Sequence, residues 1–353
     1  SNSKTSYNGN YGLNASWTLY NGNKRLKTIQ QEKLNNQVAE LDVATSENSI
    51  QESIAQIYIQ ILYAAESVRV NENTLQVSIA QRDRGQELLN AGSIAKSDFA
   101  QLEAQVSTDR YQLVTAQATL QDYKLQLKQL LELDGENEMN IYLPALSDEN
   151  VLSPLPAKRD VYVSALALRP EIEASKLNVN ASELGIDIAK SGYLPTVSLS
   201  AGIGTNHTSG SDFTFGEQVK NGWNNSIGLS VSVPIFNNRQ TKSAVQKAKL
   251  QYETSMLSLL DEQKALYKTI EGLWLDANSA QQRYAAANEK LKSTQISYNL
   301  ISEQFNLGMK NTVELLTEKN NLLQAQQEQL QAKYMAILNT QLLKFYQGDK
   351  LAL

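Results

Sequence analysis

The sequence predicts a mainly α protein built from long antiparallel helical hairpins, with a few strands that are apolar on one face only. Three observations predict it. Of 353 residues only 6 are proline and 17 glycine, and most sit in a few places, so long uninterrupted elements are expected. A junction that turns a strand period into a helix period occurs twice, at residues 12–24 and again 216 residues later at 228–240. The offset then persists: Leu34 falls on Leu250, Asn90 on Asn306, Gly92 on Gly308 and Asp98 on Glu314. Strand, Asn-rich turn, long helix, Gly turn and second long helix therefore occur twice in the same order, the mark of an internal duplication.

In the first junction Tyr11, Leu13, Ala15, Trp17 and Leu19 alternate with Gly12, Asn14, Ser16 and Thr18, which gives a strand with one apolar face before the turn Asn21-Gly22-Asn23. Residues 22–90 then hold no proline and one interior glycine, Gly85. Ile50, Ile54, Ile57, Ile61 and Val68 follow the three-four spacing of a helix with one buried stripe. A continuous helix here measures ~100 Å at 1.5 Å per residue. With Gln, Asn, Ser and Thr over most of its surface, it must pack side by side with partners. Asn90-Ala91-Gly92-Ser93 is a helix stop, and Ser97 and Asp98 suit the first turn of the next helix. That helix carries a heptad stripe from Phe99 through Leu102, Val106, Leu113, Leu120 and Leu127 to Leu130, so the pair forms an antiparallel coiled-coil hairpin.

Residues 134–169, with Pro144, Pro154 and Pro156, read as irregular, either a linker or a small lateral domain. Leu168-Arg169-Pro170-Glu171 opens a helix with proline in its first turn, continuing through Leu177, Leu184 and Ile188. Tyr193-Leu194-Pro195 leads into a strand in which Val197, Leu199, Ala201 and Ile203 alternate with small polar residues. Residues 205–222 are rich in Gly, Ser and Asn and read as the exposed loop of a hairpin. The strand beyond it, from Trp223, places Ile227, Leu229, Val231, Val233 and Ile235 on one side. A second long hairpin follows, with the turn Asn306-Leu307-Gly308 and Leu316, Leu323, Leu330 and Ile337 seven residues apart. The chain thus divides into a first structural repeat, 1–167, whose irregular equatorial linker begins at about 134, and a second, 168–353, with a helix, a β-hairpin over 193–236 and a long hairpin. The second repeat opens with a helix and a strand that have no counterpart before Ser1, so the first reads as N-terminally incomplete.

The net charge is -5 with acidic and basic residues interspersed, and no basic stripe points to nucleic acid. There are no cysteines, which excludes disulfides and thiolate metal sites. No run of 18 apolar residues suggests a spanning helix, but barrel strands need only ~9 to 11 residues of alternating polarity. No catalytic constellation, metal site or cofactor site is present, and the chain is not expected to be an enzyme. The one histidine, His207, reads as a solvated loop residue, and Gly202-Ile203-Gly204 is a phosphate-loop fragment without its helix.

Leu168-Arg169-Pro170-Glu171 before a helix, Tyr193-Leu194-Pro195 before a strand, Val233-Pro234-Ile235-Phe236-Asn237 at a strand-to-helix junction, and Gly308 six residues before Glu314 together resemble the outer membrane efflux protein family, the TolC-like channels. The resemblance covers essentially the whole chain. It implies four strands per protomer, three protomers closing a 12-stranded β-barrel in the outer membrane of a Gram-negative bacterium, and helical hairpins forming an α-barrel tunnel through the periplasm. Three of those strands are legible here. The apolar faces would meet outer membrane lipid, with Trp17 and Trp223 as membrane-interface aromatics.

The function implied is the exit duct of a tripartite efflux system, a homotrimer working with a periplasmic membrane fusion (adaptor) protein and an inner-membrane pump. A duct for type I protein secretion is the close alternative, and a soluble periplasmic coiled-coil scaffold or adaptor is the alternative of another class. By position the resemblance assigns Glu314, with Glu318 as a substitute second acid, to a carboxylate ring at the periplasmic entrance. Glu314 is equally readable as a first-turn acid complementing its helix dipole. Asp98 and Lys310 would form a latch between hairpin tips, beside Phe305, which stands where a tyrosine hydroxyl would donate. Gly92 and Gly308 would serve the tip turns and the adaptor docking surface.

Overall fold

The computed structural model describes residues 6–133, 141–142, 144 and 151–351; the rest of the expected irregular stretch lies outside the described residues. The elements are β1 (Asn8–Asn21), α1 (Lys24–Asn90), α2 (Lys96–Leu130), α3 (Lys158–Leu168), α4 (Pro170–Lys190), β2 (Thr196–Thr208), α5 (Phe215–Asn221), β3 (Asn224–Ser232), α6 (Gln240–Asn306) and α7 (Thr312–Gln347). α1 and α6 have 67 residues each, and both ends of α6 lie 216 positions beyond those of α1. The chain folds into two compact units, Ser1–Asp42 with Glu171–Glu262, and Val43–Pro170 with Gln263–Leu353.

The first unit holds an antiparallel sheet in the order β1-β2-β3. Its register aligns Trp17 with Leu199 and Leu229, and Ala15 with Ala201 and Ile227, while Ser16 meets Ser200 and Gly228. Because successive side chains alternate across the pleat, this register gathers the large apolar residues of all three strands on one face and most of the Ser, Asn and Gly residues on the other, with Asn225 beside Ile203 and Gly9 beside His207 as exceptions on the apolar face. A register shift between Thr18 and Tyr20 bends β1 near its end. Both strand-to-helix junctions are then made by two consecutive left-handed residues, Gly22 (φ 67) with Asn23 (φ 61), and Asn238 (φ 51) with Arg239 (φ 63). At Gly22 a Cβ would come within 2.8 Å of Leu194 Cβ and 2.9 Å of Ser191 O, so space as well as φ demands glycine. Beyond the junctions the helices meet through a polar seam: Lys27 Nζ lies 3.1 Å from Asp187, Gln31 Nε2 donates to Ala181 O at 2.7 Å, and the hydroxyls of Ser182 and Ser255 are 2.8 Å apart.

Residues 205–222, expected as open loop, instead extend β2 to Thr208 and form the short helix α5. The local signal is a capping box that the Gly/Ser composition obscures: Thr214 N donates to Glu217 Oε2 at 2.9 Å while Glu217 N donates to Thr214 Oγ1 at 3.4 Å.

The second unit is a helical bundle whose core joins Ala55, Ile59 and Leu62 of α1, Tyr284 of α6, and Ala336 and Leu342 of α7. The buried stripes differ by a step from those the heptads suggest. Leu315, Leu322 and Ala325 are buried where Leu316 and Leu323 are half-buried, and Ile50 is exposed. Within the stretch read as irregular, Lys158–Leu168 forms α3, which packs on α7 with Val161 and Ala165 fully buried one turn apart. It stops because Arg169 precedes Pro170, which steers it to an extended conformation (φ -74, ψ 124).

Candidate functional site

Both hairpin tips are built by the same hydrogen bonds. At the end of α1 Gly92 (φ 74) donates to Leu89 O and Ser93 to Leu88 O; at the end of α6 Gly308 (φ 72) donates to Phe305 O and Met309 to Gln304 O. These are Schellman closures, in which the left-handed residue must be glycine for its φ. A Cβ at either glycine would meet nothing within 4 Å, so the tips themselves are open. Phe305 is buried in this closure, and Leu307, Met309 and Val313 are left exposed around the second tip.

The acids of the two tips act alike. Asp98 Oδ2 accepts from Ala95 N at 3.2 Å at the start of α2. Glu314 Oε2 accepts from Asn311 N at 3.2 Å, while Asn311 Oδ1 accepts from Glu314 N at 2.9 Å, a full capping box at the start of α7. Glu314 Oε1 also lies 2.5 Å from Lys310 Nζ. The hydrogen bond from Lys310, then that from the Asn311 amide, hold the Glu314 carboxyl below the usual carboxylate range. Within one chain, therefore, Lys310 is brought to Glu314, and Asp98 serves its own helix start. Glu318 turns toward α6, accepting from Ser297 Oγ at 3.0 Å.

The site that sequence reasoning missed lies deeper in the hairpins. Lys319 of α7 and Asp109 of α2 form an ion pair in which both side chains are at most 3% exposed, and Ser78 of α1 bonds to both partners. Gln105 Nε2 donates to the second oxygen of Asp109 at 2.9 Å. Burial pushes the Lys319 ammonium pKa down, and the hydrogen bond and charge of Asp109 pull it back up. One charged cluster thus ties together three helices of both hairpins. The signal was present as polar residues inside apolar stripes: Lys319 between Leu315 and Leu322, and Asp109 between Val106 and Leu113.

Trp17 lies on the apolar parity of the sheet, and Trp17 and Trp223 are both exposed. Trp17 stands at the level of Leu199 and Leu229, whereas Trp223 directly precedes β3, at the opposite end of that strand from Val231. Among the described residues no helix is long and apolar enough to cross a membrane, and no group of His, Asp or Glu could hold a metal ion.

The fold is thus a one-sided antiparallel sheet with duplicated 67-residue helices. The sequence profile described as outer membrane efflux protein matches residues 1–132 and 161–348, and the chain belongs to that family. It is 24% identical over 294 residues to the outer membrane efflux protein BepC of Brucella suis, covering 83% of this chain and 61% of that protein. It is 24% identical over 315 residues to the outer membrane protein TolC of Escherichia coli, covering 86% and 62%. The chain thus spans about three fifths of the length of these relatives. Its fold matches that of CusC, described for transmembrane channel formation, with a TM-score of 0.82 at 18% identity over 98% of this chain and 83% of that one.

Proposed function

We propose that the chain is a protomer of a homotrimeric exit duct in the outer membrane of a Gram-negative bacterium, extending into the periplasm and passing substrates delivered by an inner-membrane pump and a periplasmic adaptor. The observation that carries this reading is the sheet. Its register gathers the large lipid-compatible side chains on one face and most of the Ser, Asn and Gly on the other, and β1 and β3 are edge strands. In lipid such edges must pair, and three strands close no barrel alone, so further strands are required; the family resemblance implies a 12-stranded barrel with four strands per protomer, to which β1, β2 and β3 would contribute. The common 216-residue offset of α1 and α6, of the left-handed junctions and of the tip closures supports two structural repeats, 1–167 and 168–353. Transport through such a duct needs no catalytic residue. The test is the molar mass of the full-length protein in detergent together with single-channel recording. A conducting trimer is expected, and a non-conducting monomer would move the function to scaffolding.

The tips are the proposed gate and docking surface, with Gly92 and Gly308 forming the turns and exposed Leu307, Met309 and Val313 available to the adaptor. Lys310 exchanges Glu314 for Asp98 when the tips close on one another. Exposed ion pairs contribute only ~0 to 1 kcal/mol, so the exchange is nearly balanced and easily biased by a partner. Replacing Asp98 by Asn and Lys310 by Gln together is expected to raise single-channel conductance, and unchanged conductance removes the latch. Glu314 is the proposed ring acid. Glu314→Gln keeps a capping-box side chain but loses the charge, so the channel should lose cation preference with its helix start intact. Because the Glu314 carboxyl is held below its ordinary range, the parent's preference should survive acidification through ~4.3, the free glutamate value, and disappear only at lower pH. Identical reversal potentials in parent and variant would place this carboxylate away from the constriction.

A further inference from the structure

The helix α5 stands on the apolar face of the sheet. Phe215 packs edge-on against Tyr11, with ring centroids 6.3 Å apart, and lies 5.0 Å from the ring of His207. Thr205 Oγ1 donates to Val219 O at 2.8 Å. Tyr11 is in register with Thr205, and His207 lies two residues further along β2, so all three belong to the parity that carries Leu13, Ile203 and Leu199. A further bond, from Thr208 N to Gln218 Oε1 at 2.9 Å, fixes the helix to the end of β2. The segment is therefore a built element seated outside the sheet, on the side assigned to lipid.

The composition changes at the same level. Below Tyr11 the apolar face is mostly aliphatic, from Leu13 and Ile203 to Leu229 and Val231, with Trp17 inside it. At Tyr11 the covering becomes aromatic: Phe215 packs on Tyr11, and Phe213 and Trp223 lie just before and just after α5 in the chain, all four half-exposed or more. Ring side chains of this kind partition to the boundary between headgroups and acyl chains. A tilted barrel strand needs about 9 to 11 residues to cross the hydrocarbon, and β1, with 14 residues, is long enough to cross it and continue beyond.

Resting on the exit-duct reading above, we propose that α5 is an interfacial plate. It lies against the outside of the barrel with Phe213 and Phe215 in the headgroup–acyl boundary of the outer leaflet, and Glu217 and Lys220 toward water. The plate fixes the vertical position of the barrel through continuity with its lipid-facing band.

Nitroxide labels are placed singly at Phe215→Cys, Phe213→Cys, Lys220→Cys and Ile227→Cys in the full-length protein reconstituted in phospholipid bilayers; these 353 residues contain no cysteine, and any reactive cysteine outside them is replaced by serine. Collision rates with oxygen, enriched in hydrocarbon, and with a neutral nickel chelate, enriched in water, are then compared. Ile227, on the apolar face at the level of Ala15 and Ala201, should give the highest oxygen-to-nickel ratio. Phe213 and Phe215 should fall between Ile227 and Lys220, and Lys220 should report water. Phe213 and Phe215 ratios equal to that of Lys220 would overturn the plate. Low collision with both reagents would overturn it too, revealing a protein contact instead. An aqueous signal at Ile227 itself would strike the barrel reading, so the two failures are distinguishable.

Discussion

Asp109→Leu is expected to destabilise the protein by about 3 to 5 kcal/mol, because it strands the Lys319 ammonium in a site where that side chain is 3% exposed, with the Ser78 hydroxyl as its remaining hydrogen-bond partner among the described residues. Lys319→Met should also destabilise, but by less. The carboxylate it leaves behind keeps the hydrogen bonds of Ser78 and Gln105. The double replacement removes both charges and fills the site with apolar volume. A buried pair exchanged for packed hydrophobic residues is often neutral or stabilising, so the double variant should return to within about 1 to 2 kcal/mol of the parent. The measurement is denaturant unfolding of the detergent-solubilised full-length protein, followed by helical circular dichroism. Single variants that each lose less than about 1 kcal/mol would show that the pair is open to water and that the two hairpins are held by packing alone. Ser78→Ala is the milder companion, at about 1 to 3 kcal/mol for a lost buried hydrogen bond to a charge.

This cluster is not written in any local period of the sequence. Long helices, Gly turns and one-sided strands were legible because each is written in a local period: two for the strands, three to four for the helices, and a common 216-residue offset linking Asn90 to Asn306 and Asp98 to Glu314. The roles of Asp98 and Glu314 at helix starts were legible for the same reason, since a cap needs only its own three neighbours. A contact among Ser78, Asp109 and Lys319 is not local. It depends on which faces of α1, α2 and α7 turn toward one another, and periodicity assigns a lysine in a polar helix to solvent by default. α3 and α5 escaped for another reason. Both are short elements in segments whose prolines, or Gly and Ser, dominate the composition, and only Val161 with Ala165 and Thr214 with Glu217 betray them.

Arg169 shows how a signal can be read correctly for one purpose and miss another. In Leu168-Arg169-Pro170-Glu171 the proline marks a helix start, and α4 does begin at Pro170. Arg169 itself lies in the break between α3 and α4, where its guanidinium is 3.2 Å from Glu52 of α1 and stacks 4.2 Å over the ring of Tyr346 and 5.7 Å from that of Phe345. Its side chain is 10% exposed and that of Glu52 21%, so the pair is largely withdrawn from water. Arg169→Ala should therefore cost about 2 to 4 kcal/mol, combining a charged hydrogen bond with the cation–π stack and leaving the Glu52 carboxylate without its guanidinium. Arg169→Lys separates the two contributions. It keeps a positive charge for Glu52 but loses the planar group that covers Tyr346, so it should recover only part of the loss. Unfolding midpoints of the two variants in the same detergent measure the difference, and faster amide hydrogen exchange in the last turns of α7 should accompany it, because Phe345 and Tyr346 end that helix. Equal midpoints for Arg169→Lys and the parent would mean that charge alone holds the break, and that the aromatic pair contributes packing without stacking.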